Sequence, residues 1–541
     1  MRAEAVAPEK AWLAQYPGDI PHSIDLLPAP SLKQLLADAL ACHGERTAVA
    51  AAGKRYSYRE LDTLAASFAA WLQQQGVAKG DRVALMLPNT LAFVVGVLGV
   101  LRAGGTVVTV NPMYTPRELA HQLADSGAQT ILVFDAFVST LEAVLADRPM
   151  KNVVVVRGAV PLADKPGTTD FEAALAQGAT LTGRDVTLGP DDIAFLQYTG
   201  GTTGVSKGAT LTHRNLLANI SQVEAWMGPA LGTLAKSAGL NMVVMLPMYH
   251  IFALTFCLMY GLRSGLQLCL IANPRDLAGA IQALKGTPVH ILPGVNTLFT
   301  GLMAHPDFKQ LDVSDLRLTI GGGAAVHQAV SQRWSSVTGL PIIEGYGLSE
   351  TSPVATCNLV SAQDWTGTIG LPVPDTEIAI RDDQNADVPV GDQGEICIRG
   401  PQVMTGYWQR PDETAKVMTV DGYFKTGDVG VMDEKGFVKI VDRKKDMILV
   451  SGFNVFPNEI EEVVSALPGV LEVAAVGVPD ERSGEAVKVF IVKRDPGLSE
   501  EQIAEHCREQ LTAYKRPKQI AFLDALPKST VGKVLRRELR A

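Results

Sequence analysis

The chain has 541 residues, 47% hydrophobic and 19% charged, with a formal net charge of −9. A single core does not grow to that length, so two or more domains are expected. The acidic balance excludes a general nucleic-acid binder and a strong polybasic attraction to anionic lipid, and six scattered cysteines with no C-x-x-C pair fit a reducing cytoplasm.

Residues Met1–Lys10 mix charges without an apolar stretch, so no secretory signal is expected. Apolar side chains recur at helical spacing over 59–72, and 82–87 reads as a buried strand. The strand signal returns at 106–110, 129–134, 152–156 and 192–198, with helical patterns between. This alternation predicts an α/β fold with a large N-terminal domain of parallel-rich sheets. Met242 to Leu262 is apolar over 21 residues, nominally enough to span a bilayer. Pro247 and His250 interrupt it, so the expectation is a strand ending near Leu246, a turn, and a core helix from about Ile251. After about residue 375, short strands such as 394–399 separated by Gly, Asp and Pro predict a β-rich subdomain. The charged run Lys439–Asp446 precedes a compact C-terminal α+β domain of about 95 residues, within the usual domain range.

The most informative segment is Tyr198-Thr-Gly-Gly-Thr-Thr-Gly-Val-Ser-Lys-Gly-Ala209. Glycine lets backbone N–H groups converge on an anion. Gly200, Gly201 and Gly204 supply that freedom, Thr199, Thr202, Thr203 and Ser206 supply hydroxyls, and Lys207 supplies a mobile charge. A plain surface turn explains the glycines but not this density of donors. It is not a Walker loop, because Gly208 rather than Ser or Thr follows Lys207. The expected context is a strand before the loop and a helix beginning near Leu211.

Three further constellations stand downstream. Glu344-Gly345-Tyr346-Gly347-Leu-Ser-Glu350 follows a strand-like 340–343 and places an aromatic that can cover a purine near a carboxylate suited to Mg²⁺. Tyr423–Gly430 sets Asp428 on a Gly-led turn, suited to ribose hydroxyls, and Asp442–Asp446 supplies Arg443. Near the end, Gly532 precedes Lys533. Each alone reads as an ordinary turn or solvated face.

In this order and spacing, the motifs resemble those of the adenylate-forming superfamily of acyl-CoA synthetases, luciferases and adenylation domains. The likeness is nearest to bacterial long-chain fatty-acid–CoA ligases, and it runs from Trp12–Pro17 through Pro247–Ala253 and Asn273–Asp276 to Val441–Asn454. It implies a 1–441 adenylation domain, a hinge within 442–446 at Lys445, and a mobile domain at 447–541. It also implies two half-reactions, in which a carboxylate attacks ATP to give acyl-AMP and CoA then displaces AMP. The implied roles are phosphate binding by 198–209, Mg²⁺ ligation by Thr199 and Glu350, and ribose contacts by Asp428 and Arg443. An adenine-side wall is implied at Gly321, Gly322, Gly323, Ala324 and Glu344 to Tyr346. By the same resemblance Lys533 would bridge the attacking carboxylate and the α-phosphate, and Gly452 would line the thiol tunnel. His250 reads either as a residue near the acyl carbonyl or as a satisfied core histidine. Asp442 and Ser349 depart from the common pattern, where many members have glycine and threonine.

The implied partners are a fatty acid, ATP and CoA, and no nucleic acid. The expected location is the cytoplasm, with reversible contact at the inner face of the membrane; a homodimer is left open. The alternatives are transfer of the acyl group to a carrier protein, a medium-chain or aryl acid substrate, and a nucleotide-binding scaffold. The scaffold is disfavoured because Glu350 and Lys533 are both present.

Overall fold

A computed structural model describes residues 10–25, 29–158, 167–199, 206–231, 239–451, 453–480, 482–530 and 532–540. The described residues form four sheets. In the eight-stranded sheet, Ile193–Thr199, Thr106–Thr109, Arg82–Met86, Thr130–Phe134, Asn152–Val156 and Thr169–Asp170 run parallel in that spatial order. Lys207–Thr212 and Gly406–Tyr407 extend it antiparallel. The nine-stranded sheet has a parallel centre, from Thr47–Ala51 to Ile343–Gly347, with antiparallel strands at both margins. The mixed α/β architecture is therefore the expected one.

The helix Leu91–Ala103 is apolar all round and buried on nearly every face, as a helix without a solvent side must be. It belongs to one continuous core with Val83 and Leu85 of the first sheet and Val49, Met242 and Leu268 of the second. The predicted helix over 59–72 is observed as Tyr58–Gln74. Ser57 and Glu60 start it by satisfying each other's backbone N–H groups.

A four-stranded antiparallel sheet follows, Glu377–Arg381, Gly394–Arg399, Phe424–Met432 and Val438–Arg443, matching the β-rich segment expected after 375. The C-terminal unit pairs Val470–Asp480 with Gly484–Lys493 and packs the amphipathic helix Pro457–Ser465 on them, around Ile448, Ile460, Val464, Val487 and Val489.

Four local expectations need correction. No helix starts at Leu211: Lys207–Thr212 is a strand paired with Ile193–Thr199, and the helix begins at His213. Its start is fixed by Thr212 and Asn215, whose side chains exchange hydrogen bonds with each other's backbone N–H groups. The strands on either side of the glycine-rich segment are therefore antiparallel partners. Second, 343–347 is a strand rather than a turn, paired with Leu318–Gly321 on one side and Val354–Cys357 on the other. Third, Asp428 lies within a strand; the bend belongs to Gly427, at φ +75° beside a bulge.

Fourth, the apolar run at 242–262 does form a strand, Asn241–Val244, then a turn and a helix, but Ala253–Tyr260 is wound as a π-helix. That rare winding occurs frequently at functional sites. No helix among the described residues is long and apolar enough to cross a membrane.

Candidate active site

The pairing of Ile193–Thr199 with Lys207–Thr212 sets Thr199 directly opposite Lys207, so the described ends of the glycine-rich loop are closed by a ladder rung. Gly200, Gly201, Thr202, Thr203 and Gly204 lie outside the described residues, as does Gly452. Tyr198 anchors the outgoing strand by donating its hydroxyl to Asp125 at 2.8 Å. Its ring crowds position 208, where a Cβ would come within 3.1 Å of it. The Ser206 carbonyl accepts from His121 Nε2 at 2.9 Å. Lys207 pairs with Glu413 and sits 5.1 Å above the ring of Tyr407. The Tyr407 hydroxyl in turn donates to Glu350 Oε1 at 2.8 Å.

Glu350 is buried in a 3₁₀ turn, Ser349–Thr351. Burial raises its carboxyl above the ordinary range, opposed by the Tyr407 hydroxyl. Its oxygens are hard donors, and a cation there would reverse the penalty of burying a carboxylate.

The opposite wall is made of backbone. A Cβ on Gly322 would lie 3.0 Å from the Gly345 carbonyl and 3.2 Å from the Phe252 ring. Ala324, the last of that run, is exposed. At Gly347 a Cβ would fall 1.7 Å from the Pro353 carbonyl oxygen, so only glycine fits. Glu344 is buried and accepts the Val326 N–H at 3.1 Å; burial pushes its carboxyl up to about 8. Tyr346 donates to Asp428 Oδ2, and Arg443 Nε stands 3.4 Å from Asp428 Oδ1. Asp428 and Arg443 are direct partners across antiparallel strands.

Lys533 enters this space from the C-terminal unit. Its stem lies 3.5 Å from where a Cβ on Gly323 would stand, and Gly323 has φ +75°. Burial brings its ammonium down to about 8, helped by the charge of Arg443 and opposed by Asp428 and Glu350. His250 is half-buried, and its Nδ1 accepts the Phe252 N–H at 3.3 Å. Burial and the Lys533 charge push that imidazole down to about 3, so it is neutral. Lys445 is exposed in the turn after Arg443, where the Asp446 N–H bonds the Arg443 carbonyl.

Lys207, Glu350, Asp428, Arg443, His250 and Lys533 thus converge from segments more than 300 residues apart. Sequence reasoning missed Tyr407 and Glu413, which hold Glu350 and Lys207. Glu413 carried a weak signal, an acid in the first turn of the helix Pro411–Val417.

The sequence profile of AMP-binding enzymes matches residues 36–408, and that of the AMP-binding enzyme C-terminal domain matches 459–533. The chain belongs to the AMP-binding enzyme family. Among curated relatives of this AMP-binding enzyme is a long-chain-fatty-acid–CoA ligase of Escherichia coli O6:H1, 49% identical over 98% of both chains. Another of the same name, from Bacillus subtilis, is 38% identical over 98% of both. Among solved structures, ATP-bound MatB from Rhodopseudomonas palustris superposes with a TM-score of 0.83 at 30% identity, covering 94% of this chain and 98% of that one. An anthranilate–CoA ligase in complex with anthranoyl-AMP gives a TM-score of 0.85 at 26% identity, over 96% and 98%.

Proposed function

We propose that the protein is a long-chain-fatty-acid–CoA ligase working in two half-reactions. A carboxylate oxygen of the fatty acid attacks the α-phosphorus of ATP; the bond to the bridging oxygen breaks and pyrophosphate leaves. The CoA sulfur then attacks the acyl carbon, AMP departs as the carbon–oxygen bond breaks, and the thiol proton passes to solvent. Curated relatives of that name, aligned along nearly the whole chain, support the substrate class.

The observation that carries the mechanism is the seating of Lys533 between the Gly321–Gly323 turn and the Asp428–Arg443 pair. Negative charge grows on oxygen as the first bond forms, and an ammonium fixed in advance stabilises it without reorganisation. Asp428 accepts from the ribose hydroxyls, with Arg443 and Tyr346 fixing its orientation. Gly322 and Gly345 let the adenine approach the backbone. Lys207 and the hydroxyls of the 198–209 loop hold the outer phosphates, and neutral His250 offers its remaining ring nitrogen toward the acyl carbonyl. Thr199 and Glu350 are the residues that would hold Mg²⁺, which supplies charge neutralisation at the phosphates when bound.

In this reading 442–446 is the hinge, Lys445 the pivot and 447–541 the moving domain, with Gly452 beside the thiol path. Long acyl chains partition into bilayers, so the enzyme works reversibly at the inner membrane face; flotation with liposomes, with and without fatty acid, tests that point. The central test is pyrophosphate release scanned over acids of different length, with and without CoA. Release with long-chain acids and thioester only when CoA is added supports the proposal. Release confined to aryl or short acids would replace the substrate class.

A further inference from the structure

Lys533 does not reach the site unaided. Its loop is closed internally: Lys528 bridges Val534, the Ser529 N–H bonds the Lys533 carbonyl at 2.7 Å, and the Lys533 N–H bonds Ser529 Oγ at 3.1 Å. The residues facing outward from that loop are gripped by the other domain. Tyr249 donates its hydroxyl to Thr530 Oγ1, and Asn111 Nδ2 donates to the same oxygen at 3.3 Å. Thr297 donates to the Gly532 carbonyl at 3.0 Å. The grip is itself braced, because the Tyr249 carbonyl accepts from Gln197 Nε2 at 2.9 Å. Gln197 lies on the strand that runs directly into Tyr198 and Thr199, and its other amide atom accepts from Thr109.

We infer that Thr530, held by Tyr249 and Asn111, is a latch that sets Lys533 for adenylate formation and opens for thioester formation. Thr530 and Lys533 share one tight loop of the C-terminal domain, whereas Asn111, Tyr249 and Thr297 belong to the N-terminal domain. Any movement that withdraws Lys533 therefore breaks all three interdomain bonds. Hydrogen bonds between neutral groups are weak enough to break and re-form in every cycle, each contributing about fivefold to an equilibrium. A salt bridge to a fully buried partner would hold the domain shut. Thr530, Tyr249 and Asn111 are positioning residues, acting through Lys533, and the inference rests on the two-step reading above.

The test compares Thr530→Val, which keeps shape and removes the hydroxyl, with Thr530→Ser, which restores it, and with Tyr249→Phe. Thr530→Val is expected to slow fatty-acid-dependent pyrophosphate exchange roughly twentyfold, from two lost bonds at about fivefold each, and Tyr249→Phe about fivefold. Thioester formation from supplied acyl-adenylate stays within twofold of the unmodified enzyme. Thr530→Ser recovers exchange to within about threefold, and the double variant Tyr249→Phe/Thr530→Val is no slower than Thr530→Val alone, because the bond that Tyr249→Phe removes is already lost in Thr530→Val. Equal loss in both half-reactions, or no recovery with serine, overturns the latch.

A second arm needs no substrate: hydrogen exchange at the Ser529 and Lys533 amides should speed about tenfold in Thr530→Val and not in Thr530→Ser. Unchanged exchange overturns the latch even in an active enzyme. Faster exchange in a protein that activates no fatty acid would uphold the latch and remove the assigned substrate.

Discussion

Tyr346 and Asp428 are joined by a 2.6 Å hydrogen bond from the phenol to the carboxylate, linking the strand Ile343–Gly347 to the antiparallel sheet that follows it. The Asp428 carboxylate is buried and Tyr346 is half-buried, and Arg443 approaches the other carboxylate oxygen. A hydrogen bond to a charged acceptor contributes about 2 kcal/mol.

Tyr346→Phe is therefore expected to lower unfolding free energy by about 2 kcal/mol in urea titrations and to raise the KM for ATP more than it lowers kcat. A loss confined to kcat would mean that the phenol acts on the reacting phosphate rather than on Asp428.

In the proposed mechanism the first half-reaction needs Lys533 as an ammonium. Its folded-state value stands at about 8 rather than 10.5, so the charge is present below pH 8 and disappears above it. Adenylate formation measured as kcat/KM should fall about tenfold per pH unit above that point. Thioester formation should instead rise over the same range, as the CoA thiolate fraction grows. Lys533→Arg keeps its charge and should remove the alkaline fall, while Lys533→Ala should cost a hundredfold or more in adenylate formation alone. His250, held neutral with its value near 3, adds no inflection between pH 5 and 8.

Glu350→Gln replaces the carboxylate of the proposed Mg²⁺ ligand with an amide oxygen. It should raise the Mg²⁺ concentration for half-maximal adenylate formation by about tenfold. An unchanged Mg²⁺ titration would leave Glu350 as the acceptor of the Tyr407 hydroxyl and nothing more.

Lys445→Pro fixes φ at the proposed pivot. CoA-dependent turnover should fall at least tenfold more than pyrophosphate exchange. A parallel fall in both would move the pivot elsewhere in 442–446.

What the sequence made legible follows from the range of the interactions involved. The strands at 82–87, 129–134 and 152–156 and the helix over 59–72 are written in local apolar periodicity, and each appears within a few residues of its expected bounds. The residues that converge on the site were legible as motifs, because a glycine-rich arc or a Gly–Lys turn is a local signal. Their supports were not. Tyr407, Glu413, Tyr249 and Thr530 are ordinary residues in ordinary surroundings until the chain brings them against Glu350, Lys207 and one another. The strand Lys207–Thr212, in place of the expected helix start, has a related reason. It pairs only because Ile193–Thr199 offers it an edge, whereas the helix signal from 213 onward is intrinsic and drew the predicted boundary forward.

Asp428 and Arg443 share a rung at the end of the strand Val438–Arg443, so in the proposed mechanism that strand has two tasks at once, as a wall of the nucleotide pocket and as the tether of the C-terminal domain. A swing that begins beyond Arg443 leaves that wall standing, whereas one reaching back into the strand would tear a side from the pocket. Under the proposed two-step mechanism, a swing of the first kind would let Lys533 give way to the thiol while the adenylate stays held. The reactive intermediate would then remain clamped by the stationary half of the molecule throughout the changeover.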